Sequence, residues 1–383
     1  MNISILGCTG SVGRQTFKVL QDLPDVQVSA LAAAGFNLDI LEEQARYFHP
    51  KLIAVYNEDS AALLRKRLPK IKIAAGMDGL MEAAAMPDCQ IVVNALVGSI
   101  GLKPTMAAIA ARKCIALANK ETLVAAGHLV MEAAQENQVE IRPMDSEHSA
   151  IWQCLQGNEE NSVKRLILTA SGGAFRSMDK TAIEKATAAD ALRHPNWDMG
   201  PKITVDCATM MNKGLEYIEA RWLFDIPYEK IDILVHPQSI IHSMVEFEDG
   251  AVMAQMAAPD MAQPIQYALT APLRPARKHK PLDFISQGQL TFTEPDSGRF
   301  PCLALALEAA KTGGTMPAMM NALNESLVNA FLRDEIAFYD ISRLIQEAMR
   351  TYNVRALTCL TDVEEAELWA SEFYERSKFK GLT

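Results

Sequence analysis

NISILGCTGSVG, residues 2–13, is the most informative segment of this chain for its architecture. Residues 2–6 form an apolar, β-branched run typical of a buried strand, and residues 10–23 have the apolar spacing of an amphipathic helix. The glycines between them suit a sharp turn from strand to helix. We therefore predict a strand–turn–helix unit at the start of the chain.

Short strand-like runs alternate with helix-like stretches as far as about residue 145. Such alternation implies βαβ units and a mostly parallel sheet, so we predict an α/β, Rossmann-like domain for residues 1–145. The predicted strands are Asn2–Leu6, Val26–Ala33, Leu52–Tyr56, Ile71–Ala75, Ile91–Ala95, Cys114–Ala118 and Val139–Met144.

A different pattern begins at residue 146. Asp249-Gly250 separates strand-like runs at 241–248 and 251–256, which indicates a β-hairpin. Residues 146–275 are predicted to form an α+β domain. Its further strands are expected at 163–168, 203–206 and 231–235. Residues 276–300, which contain part of a Pro-bracketed basic run, are predicted to form a solvated linker.

The last part of the chain, residues 301–383, is predicted to form a helical domain. Its helices are expected at 303–311, 317–333, 341–352 and 363–378. Asp340 and Asp362 are the predicted N-caps of the last two, because a side-chain carboxylate there can accept hydrogen bonds from backbone N–H groups of the first turn.

Composition excludes several classes of function. The chain has 37 Lys and Arg against 47 Asp and Glu, a net charge of −10, so it is a poor candidate for binding nucleic acid or an anionic membrane. Its seven cysteines form no CxxC pair, which predicts a reducing cytoplasmic location without disulfides or structural zinc. No uncharged apolar run reaches the roughly 18 residues of a membrane span, and no targeting segment is expected.

The glycine turn at 7–13 predicts a dinucleotide site. Glycines allow the backbone to approach a pyrophosphate, whose charge then lies at the helix N-terminus. The spacing is GxxGxxG rather than GxGxxG, and a purely structural turn is the alternative. Since Val26–Ala33 ends without the acidic residue that usually binds the ribose of NAD, NADPH is favoured, although no Arg or Lys follows to meet a 2′-phosphate.

A second candidate site consists of carboxylates. Asp145 and Glu147 follow the last predicted strand, and in an extended chain residues i and i+2 face the same way. Two converging carboxylates suit Mg²⁺ or Mn²⁺, whereas an exposed acidic turn is the alternative. Glu216 is the best third carboxylate. It lies within four positions of Asn212 and Lys213, so a helix would place all three on one face, able to bind a phosphate beside a metal.

Two further segments are suited to ligand binding. Residues 169–174 (TASGGA) form a hydroxyl- and glycine-rich turn after a predicted strand, which suits an anion. Residues 194–202 (HPNWDMGPK) read as a loop that closes over a ligand. The alternatives are an ordinary surface histidine at His194 and an ordinary packed aromatic at Trp197.

Long strings in this sequence resemble those of the 1-deoxy-D-xylulose 5-phosphate reductoisomerase family of the non-mevalonate isoprenoid pathway. The resemblance covers residues 1 to about 330, and RHPNWDMG and ATMMNKGLEYIEARW are its most specific strings. The matching segments are GCTGSVG at 7–13, LANKETLV at 117–124, MDSEHSAIWQ at 144–153, SGGAFR at 171–176, RHPNWDMGPKITVD at 193–206, ATMMNKGLEYIEARWLF at 208–224, HPQSIIHSMV at 236–245 and PDM at 259–261.

The resemblance implies an NADPH- and divalent-metal-dependent rearrangement and reduction of 1-deoxy-D-xylulose 5-phosphate to 2-C-methyl-D-erythritol 4-phosphate. It also implies a homodimer with an NADPH-binding domain, a catalytic and dimerisation domain and a helical domain. The implied ligands of Mg²⁺, Mn²⁺ or Co²⁺ are Asp145, Glu147 and Glu216. The catalytic set adds Lys120 and His194. The implied substrate-binding residues are Ser146, Glu147, Ser171, His194, Trp197, Cys207, Asn212, Lys213 and Glu216, with Met199 in the closing loop. The implied cofactor-binding residues are Gly7, Thr9, Gly10, Ser11, Val12, Gly35, Asn37, Asn119, Lys120, Glu121 and Gly200.

Two positions depart from the family pattern. Cys207 stands where the family usually has a serine that donates to the substrate phosphate, and a thiol is a much weaker donor. Phe36 stands where members often have a basic or small polar residue, which leaves the 2′-phosphate contact unassigned.

Two other functions are compatible with a dinucleotide-binding domain. One is a different two-domain NAD(P)-dependent enzyme, such as a metal-independent homoserine- or sugar-type dehydrogenase. The other is a non-catalytic nucleotide-sensing protein. Neither has a use for the three carboxylates.

Overall fold

The computed structural model describes residues 1–158, 161–197, 199–278 and 281–379. They form two compact units: unit 1 comprises Met1–Thr122, Val130–Ser149 and Met261–His279, and unit 2 comprises Leu123–Leu129, Ala150–Asp260 and Lys280–Thr383. The division of the chain near residues 145, 275 and 300 stays a prediction.

The elements alternate as predicted in the N-terminal part. The strands are β1 (Asn2–Leu6), β2 (Gln27–Ala33), β3 (Leu52–Val55), β4 (Lys72–Ala75), β5 (Ile91–Asn94), β6 (Cys114–Leu117), β7 (Ile141–Pro143), β8 (Val163–Ala170), β9 (Ile231–Val235), β10 (Ile241–Phe247) and β11 (Val252–Met256). The α-helices are α1 (Ser11–Gln21), α2 (Leu38–Phe48), α3 (Glu58–Arg67), α4 (Gly76–Ala84), α5 (Leu102–Ala110), α6 (Lys120–Glu136), α7 (Ser146–Leu155), α8 (Lys180–Glu184), α9 (Ala188–Ala191), α10 (Pro201–Thr209), α11 (Met211–Leu223), α12 (Ala262–Thr270), α13 (Phe284–Gln287), α14 (Pro301–Thr312), α15 (Met316–Leu332), α16 (Phe338–Thr351) and α17 (Leu360–Phe379).

Unit 1 is built on a seven-stranded sheet of order β4-β3-β2-β1-β5-β6-β7. Every neighbouring pair is parallel, which confirms the predicted Rossmann-like α/β fold. The strand order reverses at β1, between β2 and β5, and ligands of such sheets bind in the crevice at the carboxyl ends of the strands at this reversal. The glycine turn at 7–13 lies at this position.

The core of unit 1 forms because its central strands are apolar and buried. Ile3, Leu31 and Val93 are all fully buried, as expected for a parallel sheet covered by helices. Helix α12, from much later in the chain, contributes Ile265 and Leu269 to the same core.

Unit 2 contains a four-stranded sheet of order β11-β10-β8-β9. The predicted hairpin at Asp249-Gly250 is confirmed: β10 and β11 pair antiparallel, and Gly250 turns with φ +86°. Part of the predicted linker is docked here, since Val235 and Thr293 exchange backbone hydrogen bonds of 2.8 and 3.0 Å. His279 and Lys280 of the basic run lie outside the described residues.

The strand predicted at 203–206 is wrong, because these residues lie in α10. Pro201 occupies the first turn, where its missing N–H costs nothing, and Gly200 is the N-cap. Lys202 and Asp206 pair at i,i+4 with Nζ–Oδ2 2.8 Å, a spacing that places two side chains on one face of a helix. The Asn324 amide also donates to Asp206 (2.9 Å), joining α10 to α15.

The four predicted C-terminal helices are confirmed as α14 to α17, but the predicted caps are misplaced. Helix α16 starts after Ala337, and Asp340 reaches back from the first turn to accept the Ala337 N–H at 2.9 Å. Asp362 lies inside the first turn of α17 and accepts the N–H groups of Thr358 and Cys359. The Thr358 N–H and hydroxyl, then the Cys359 N–H, lower the pKa of Asp362 to about 2. Among the described residues, no helix has the length and apolar character to cross a membrane.

Candidate active site

The glycine turn of unit 1 has the geometry of a pyrophosphate cradle. Gly7 has φ +82°, and a Cβ there would lie 2.2 Å from the Ala95 carbonyl oxygen. A Cβ on Gly13 would lie 2.3 Å from the Gly7 oxygen, so α1 packs directly on the turn. The N-cap of α1 is Gly10, which has no side chain that could accept a hydrogen bond from the first N–H groups of the helix. The first N–H groups of α1, which include those of Ser11 and Val12, are therefore suited to bind an anion.

Gln44 holds this turn from α2, a contact that the sequence did not reveal. Its side chain is 4% exposed, and its Nε2 donates to the Cys8 carbonyl at 2.9 Å. The C=O and N–H of a trans peptide point in opposite directions, so this bond also orients the N–H of Thr9. A glutamine between Leu41 and Ala45 on the buried face of an amphipathic helix was the available signal.

Replacing Gln44 by methionine should weaken NADPH binding while leaving catalysis intact. Gln44→Met keeps the length of the side chain but removes the donor to Cys8, and a buried carbonyl left without a partner costs about 1–3 kcal/mol. We expect the KM for NADPH to rise about fivefold to tenfold, with kcat at saturating NADPH and the KM for the second substrate unchanged. Gln21→Met, at an exposed position of α1, is the control. An unchanged KM for NADPH would remove the positioning role.

The end of β2 is the predicted adenosine end of the cofactor site. Gly35 has φ +112°, and a Cβ there would lie 2.9 Å from Cβ of Ser60, so no other residue fits. Asn37 is the N-cap of α2 but makes no side-chain capping bond. The side-chain amide of Asn37 therefore does not cap the N-terminus of α2.

The carboxyl ends of β6 and β7 bring Lys120 and Asp145 together. Lys120 Nζ lies 2.8 Å from Asp145 Oδ2, and the two side chains are only 7% and 13% exposed. Asn119 is 1% exposed and its amide donates to the carbonyls of Leu96 and Gly98 (2.9 and 2.8 Å) and to Glu121 Oε2 (3.0 Å). Asn119 therefore holds the loops after β5 and β6 in place around Lys120.

The extended arrangement predicted for Asp145 and Glu147 is wrong. β7 ends at Pro143 and α7 starts at Ser146, so Glu147 lies in the first helical turn. The Ser149 N–H donates to the Asp145 carbonyl (2.8 Å), and the Ser146 hydroxyl donates to Glu147 Oε2. Both carboxylates are at the N-terminal end of a helix, where negative charge is stabilised.

Asn212, Lys213 and Glu216 meet on α11 in unit 2. Lys213 Nζ and Asn212 Nδ2 contact different oxygens of the Glu216 carboxylate. All three residues are buried, and Glu216 is fully so. The helix is covered because Gly214 allows α14 to approach: a Cβ there would lie 2.3 Å from Cβ of Ala306. An ammonium and an amide thus provide polar partners for a buried carboxylate.

Ser171, Gly172 and Gly173 form a turn directly after β8. Both glycines have positive φ, +82° and +71°, and a Cβ on Gly173 would lie 2.3 Å from the Cys207 carbonyl oxygen. The turn therefore packs against the backbone of α10 at Cys207. This contact places the predicted hydroxyl-and-glycine turn beside Cys207, the first of the two departures noted in the sequence.

His194 is tied to this turn as a neutral ring. Its Nδ1 accepts the N–H groups of Asn196 (3.2 Å) and Trp197 (3.0 Å), so the proton is on Nε2, which lies 2.9 Å from Ser171 Oγ. Burial, and then the charge of Arg176, lower the pKa of His194 to about 4. Because Ser171 accepts the Nε2–H, its own hydroxyl hydrogen is available to a ligand.

The rest of the predicted closing loop is held by other parts of unit 2. The Asn196 amide donates to the Pro237 carbonyl (2.6 Å) and to Ser239 Oγ (2.7 Å). The rings of Trp197 and His242 are 6.0 Å apart. Gly200 caps α10, and Asp198 lies outside the described residues. Asn196 and Ser239 were not singled out from the sequence, because the two residues meet only in the fold.

Family models match most of the chain. The models described as 1-deoxy-D-xylulose 5-phosphate reductoisomerase, its C-terminal domain, and DXP reductoisomerase C-terminal domain match residues 3–127, 141–224 and 256–373. Relatives named 1-deoxy-D-xylulose 5-phosphate reductoisomerase include one from Bacillus cereus (strain Q1), 52% identical over 373 residues, which covers 97% of this chain and 98% of the relative. One from Lachnoclostridium phytofermentans is 50% identical, covering 99% and 98%.

Solved structures extend the similarity to three dimensions. The Zymomonas mobilis reductoisomerase in complex with NADPH is 41% identical with a TM-score of 0.90, covering 98% of both chains. A DOX-P reductoisomerase in complex with NADPH, fosmidomycin and magnesium is 36% identical with a TM-score of 0.92, covering 99% of both chains.

Proposed function

This chain belongs to the 1-deoxy-D-xylulose 5-phosphate reductoisomerase family, and we propose that it performs the family reaction with the side chains described above. It is an enzyme that uses NADPH and a divalent metal to convert 1-deoxy-D-xylulose 5-phosphate to 2-C-methyl-D-erythritol 4-phosphate, in isoprenoid biosynthesis. The observation that carries this conclusion is 52% identity over almost the full length of both proteins. Neither a different dehydrogenase nor a nucleotide sensor is favoured.

Asp145, Glu147 and Glu216 are our proposed ligands for Mg²⁺, Mn²⁺ or Co²⁺. Their donor chemistry fits, since hard divalent cations prefer carboxylate oxygens. Lys120 lies beside Asp145 and Lys213 lies beside Glu216, so each of these two carboxylates already has a positive partner in the site. A bound divalent ion would polarise the substrate carbonyl and an adjacent hydroxyl.

The proposed phosphate site is formed by Ser171, Asn212 and Lys213, with His194 closing it. The tautomer of His194 leaves the Ser171 hydroxyl free to donate, and Lys213 supplies positive charge. Cys207 contributes little through its thiol, a weak donor. Binding energy from the phosphate end then positions the reacting carbons, which is how remote contacts raise the rate. Ser146 and Trp197 are proposed to line the remainder of the substrate.

The proposed NADPH site uses the backbone of Gly7, Thr9, Gly10, Ser11 and Val12 for the pyrophosphate. Gly35 and Asn37 are assigned to the adenosine half. The residues assigned to the nicotinamide half are Asn119, Lys120, Glu121 and Gly200. NADPH supplies the hydride that reduces the rearranged aldehyde.

We also propose a cytoplasmic homodimer that pairs through unit 2. β11 forms one edge of the four-stranded sheet, and its Val252 and Met253 are 50% and 47% exposed. An exposed apolar edge strand offers both backbone hydrogen-bonding groups and apolar surface to a second copy.

NADPH oxidation with 1-deoxy-D-xylulose 5-phosphate tests the function. We expect NADPH to be consumed only when substrate and Mn²⁺ or Mg²⁺ are both present, and fosmidomycin to block the reaction. Homoserine and a sugar without phosphate are the control substrates. Turnover in excess chelator, or turnover of a control substrate alone, would contradict the assignment.

A further inference from the structure

Phe36 stands at the tip between β2 and α2 and is 89% exposed. Residues of α3 and of the loop just before α3 donate hydrogen bonds to the backbone next to Phe36. The Ser60 hydroxyl donates to the Gly35 carbonyl (3.1 Å), and the Asn57 N–H donates to the Ala34 carbonyl (3.0 Å). A large aromatic ring is thus presented to solvent on a well-tethered tip.

This tip adjoins the pyrophosphate turn. The N–H groups of Gly7 and Cys8 both donate to the Ala32 carbonyl near the end of β2 (2.8 and 3.0 Å). In a doubly wound dinucleotide site the adenosine half extends from that turn toward the end of the second strand. The ring of Phe36 is therefore placed at the adenosine end, an inference that rests on the cofactor site proposed above.

The charges at this edge do not favour a 2′-phosphate. Residues 34–40 and 56–61, which follow β2 and β3, contain no Lys or Arg, whereas Asp39, Glu58 and Asp59 lie in the first turns of α2 and α3. Arg67 reaches this side, but its guanidinium pairs with Asp39 (2.7 Å) and Glu42 (3.6 Å). A phosphate here would meet acidic side chains and a cation that is already paired.

We propose that Phe36 stacks on the adenine of the cofactor, and that this contact makes the enzyme discriminate only weakly between NADPH and NADH. Adenine is common to both dinucleotides, so stacking contributes equally to each. Selectivity for NADPH normally comes from a cation at the 2′-phosphate, and the tip offers an aromatic ring instead.

The test compares kcat/KM for NADPH and NADH at saturating 1-deoxy-D-xylulose 5-phosphate and Mn²⁺. For the unaltered enzyme we expect the two values to lie within about tenfold of each other, since residues 34–40 and 56–61 offer no cation to the 2′-phosphate. Phe36→Ala should lower both about tenfold and leave their ratio unchanged, the effect of losing one base–aromatic stack. Phe36→Lys should raise the NADPH to NADH ratio about tenfold, by supplying the absent cation.

Phe284→Ala, which removes a ring that is 64% exposed in unit 2, is the matched control and should change neither value. A native ratio above about a hundredfold would overturn the proposed weak selectivity, because it would require a strong 2′-phosphate contact. Unchanged kinetics in Phe36→Ala would overturn the stacking contact. If neither cofactor supports turnover, the proposed function fails instead, and the dissociation constants of both dinucleotides for these variants, measured by calorimetry, still decide the role of Phe36.

Discussion

Glu216→Gln should reduce kcat/KM for 1-deoxy-D-xylulose 5-phosphate by about a thousandfold at ordinary Mn²⁺ concentrations. The amide keeps the size of the side chain but removes the negative charge proposed to bind the metal. It also leaves the buried Lys213 ammonium without its carboxylate partner, and a broken buried pair costs about 3–5 kcal/mol. We therefore expect a lower melting temperature together with the loss of turnover.

A control and a second variant separate metal binding from stability. Asp225→Asn removes a carboxylate just beyond the C-terminal end of α11 whose side chain is 94% exposed and paired with Arg221, and it should leave activity unchanged. Asp145→Asn should reduce kcat/KM as strongly as Glu216→Gln does. NADPH affinity should persist in both site variants, because neither substitution changes the pyrophosphate turn at residues 7–13. Full activity in either variant would rule out the metal assignment.

Gly13→Ala should abolish NADPH binding in the measurable range. Its Cβ would lie 2.3 Å from the Gly7 oxygen and 2.5 Å from Cα of Cys8, both backbone atoms of the turn itself. Either α1 or the turn must move, and a displacement of about 1 Å in a positioned site can cost about a hundredfold in activity. Overpacking of this kind also costs about 1–3 kcal/mol of stability.

The neighbouring glycine supplies the comparison. A Cβ on Gly10 would meet only the Gly7 oxygen at 3.2 Å, so Gly10→Ala should raise the KM for NADPH much less. Titration of NADPH by fluorescence and a thermal melt of both variants measure the two effects. Native affinity in Gly13→Ala would show that close packing of α1 on the turn does not shape the cofactor site.

Elements with a local sequence signal were predicted correctly. The strand–turn–helix at residues 2–23, the parallel sheet and the hairpin at Asp249-Gly250 all follow from periodicity and turn chemistry over a few residues. Elements whose conformation depends on their neighbours were not. Residues 203–206 read as a strand, yet Gly200, Pro201 and the Lys202–Asp206 pair make them helical. Asp340 and Asp362 cap their helices from within the first turn, a shift that composition does not reveal.

The candidate residues were recognisable from the sequence because specific residue types recur there in long, unusual strings. The protonation of these residues and the orientation of their hydrogen-bond donors depend on atoms distant along the chain. The neutral tautomer of His194 depends on the N–H groups of its own loop and on Ser171, 23 residues away. The bond from Gln44 to the Cys8 carbonyl spans 36 residues. Residue identity and local spacing therefore established the family and the chemistry, whereas only the tertiary structure decided protonation and the orientation of donors, because both depend on burial and on partners that chain folding brings within hydrogen-bonding distance.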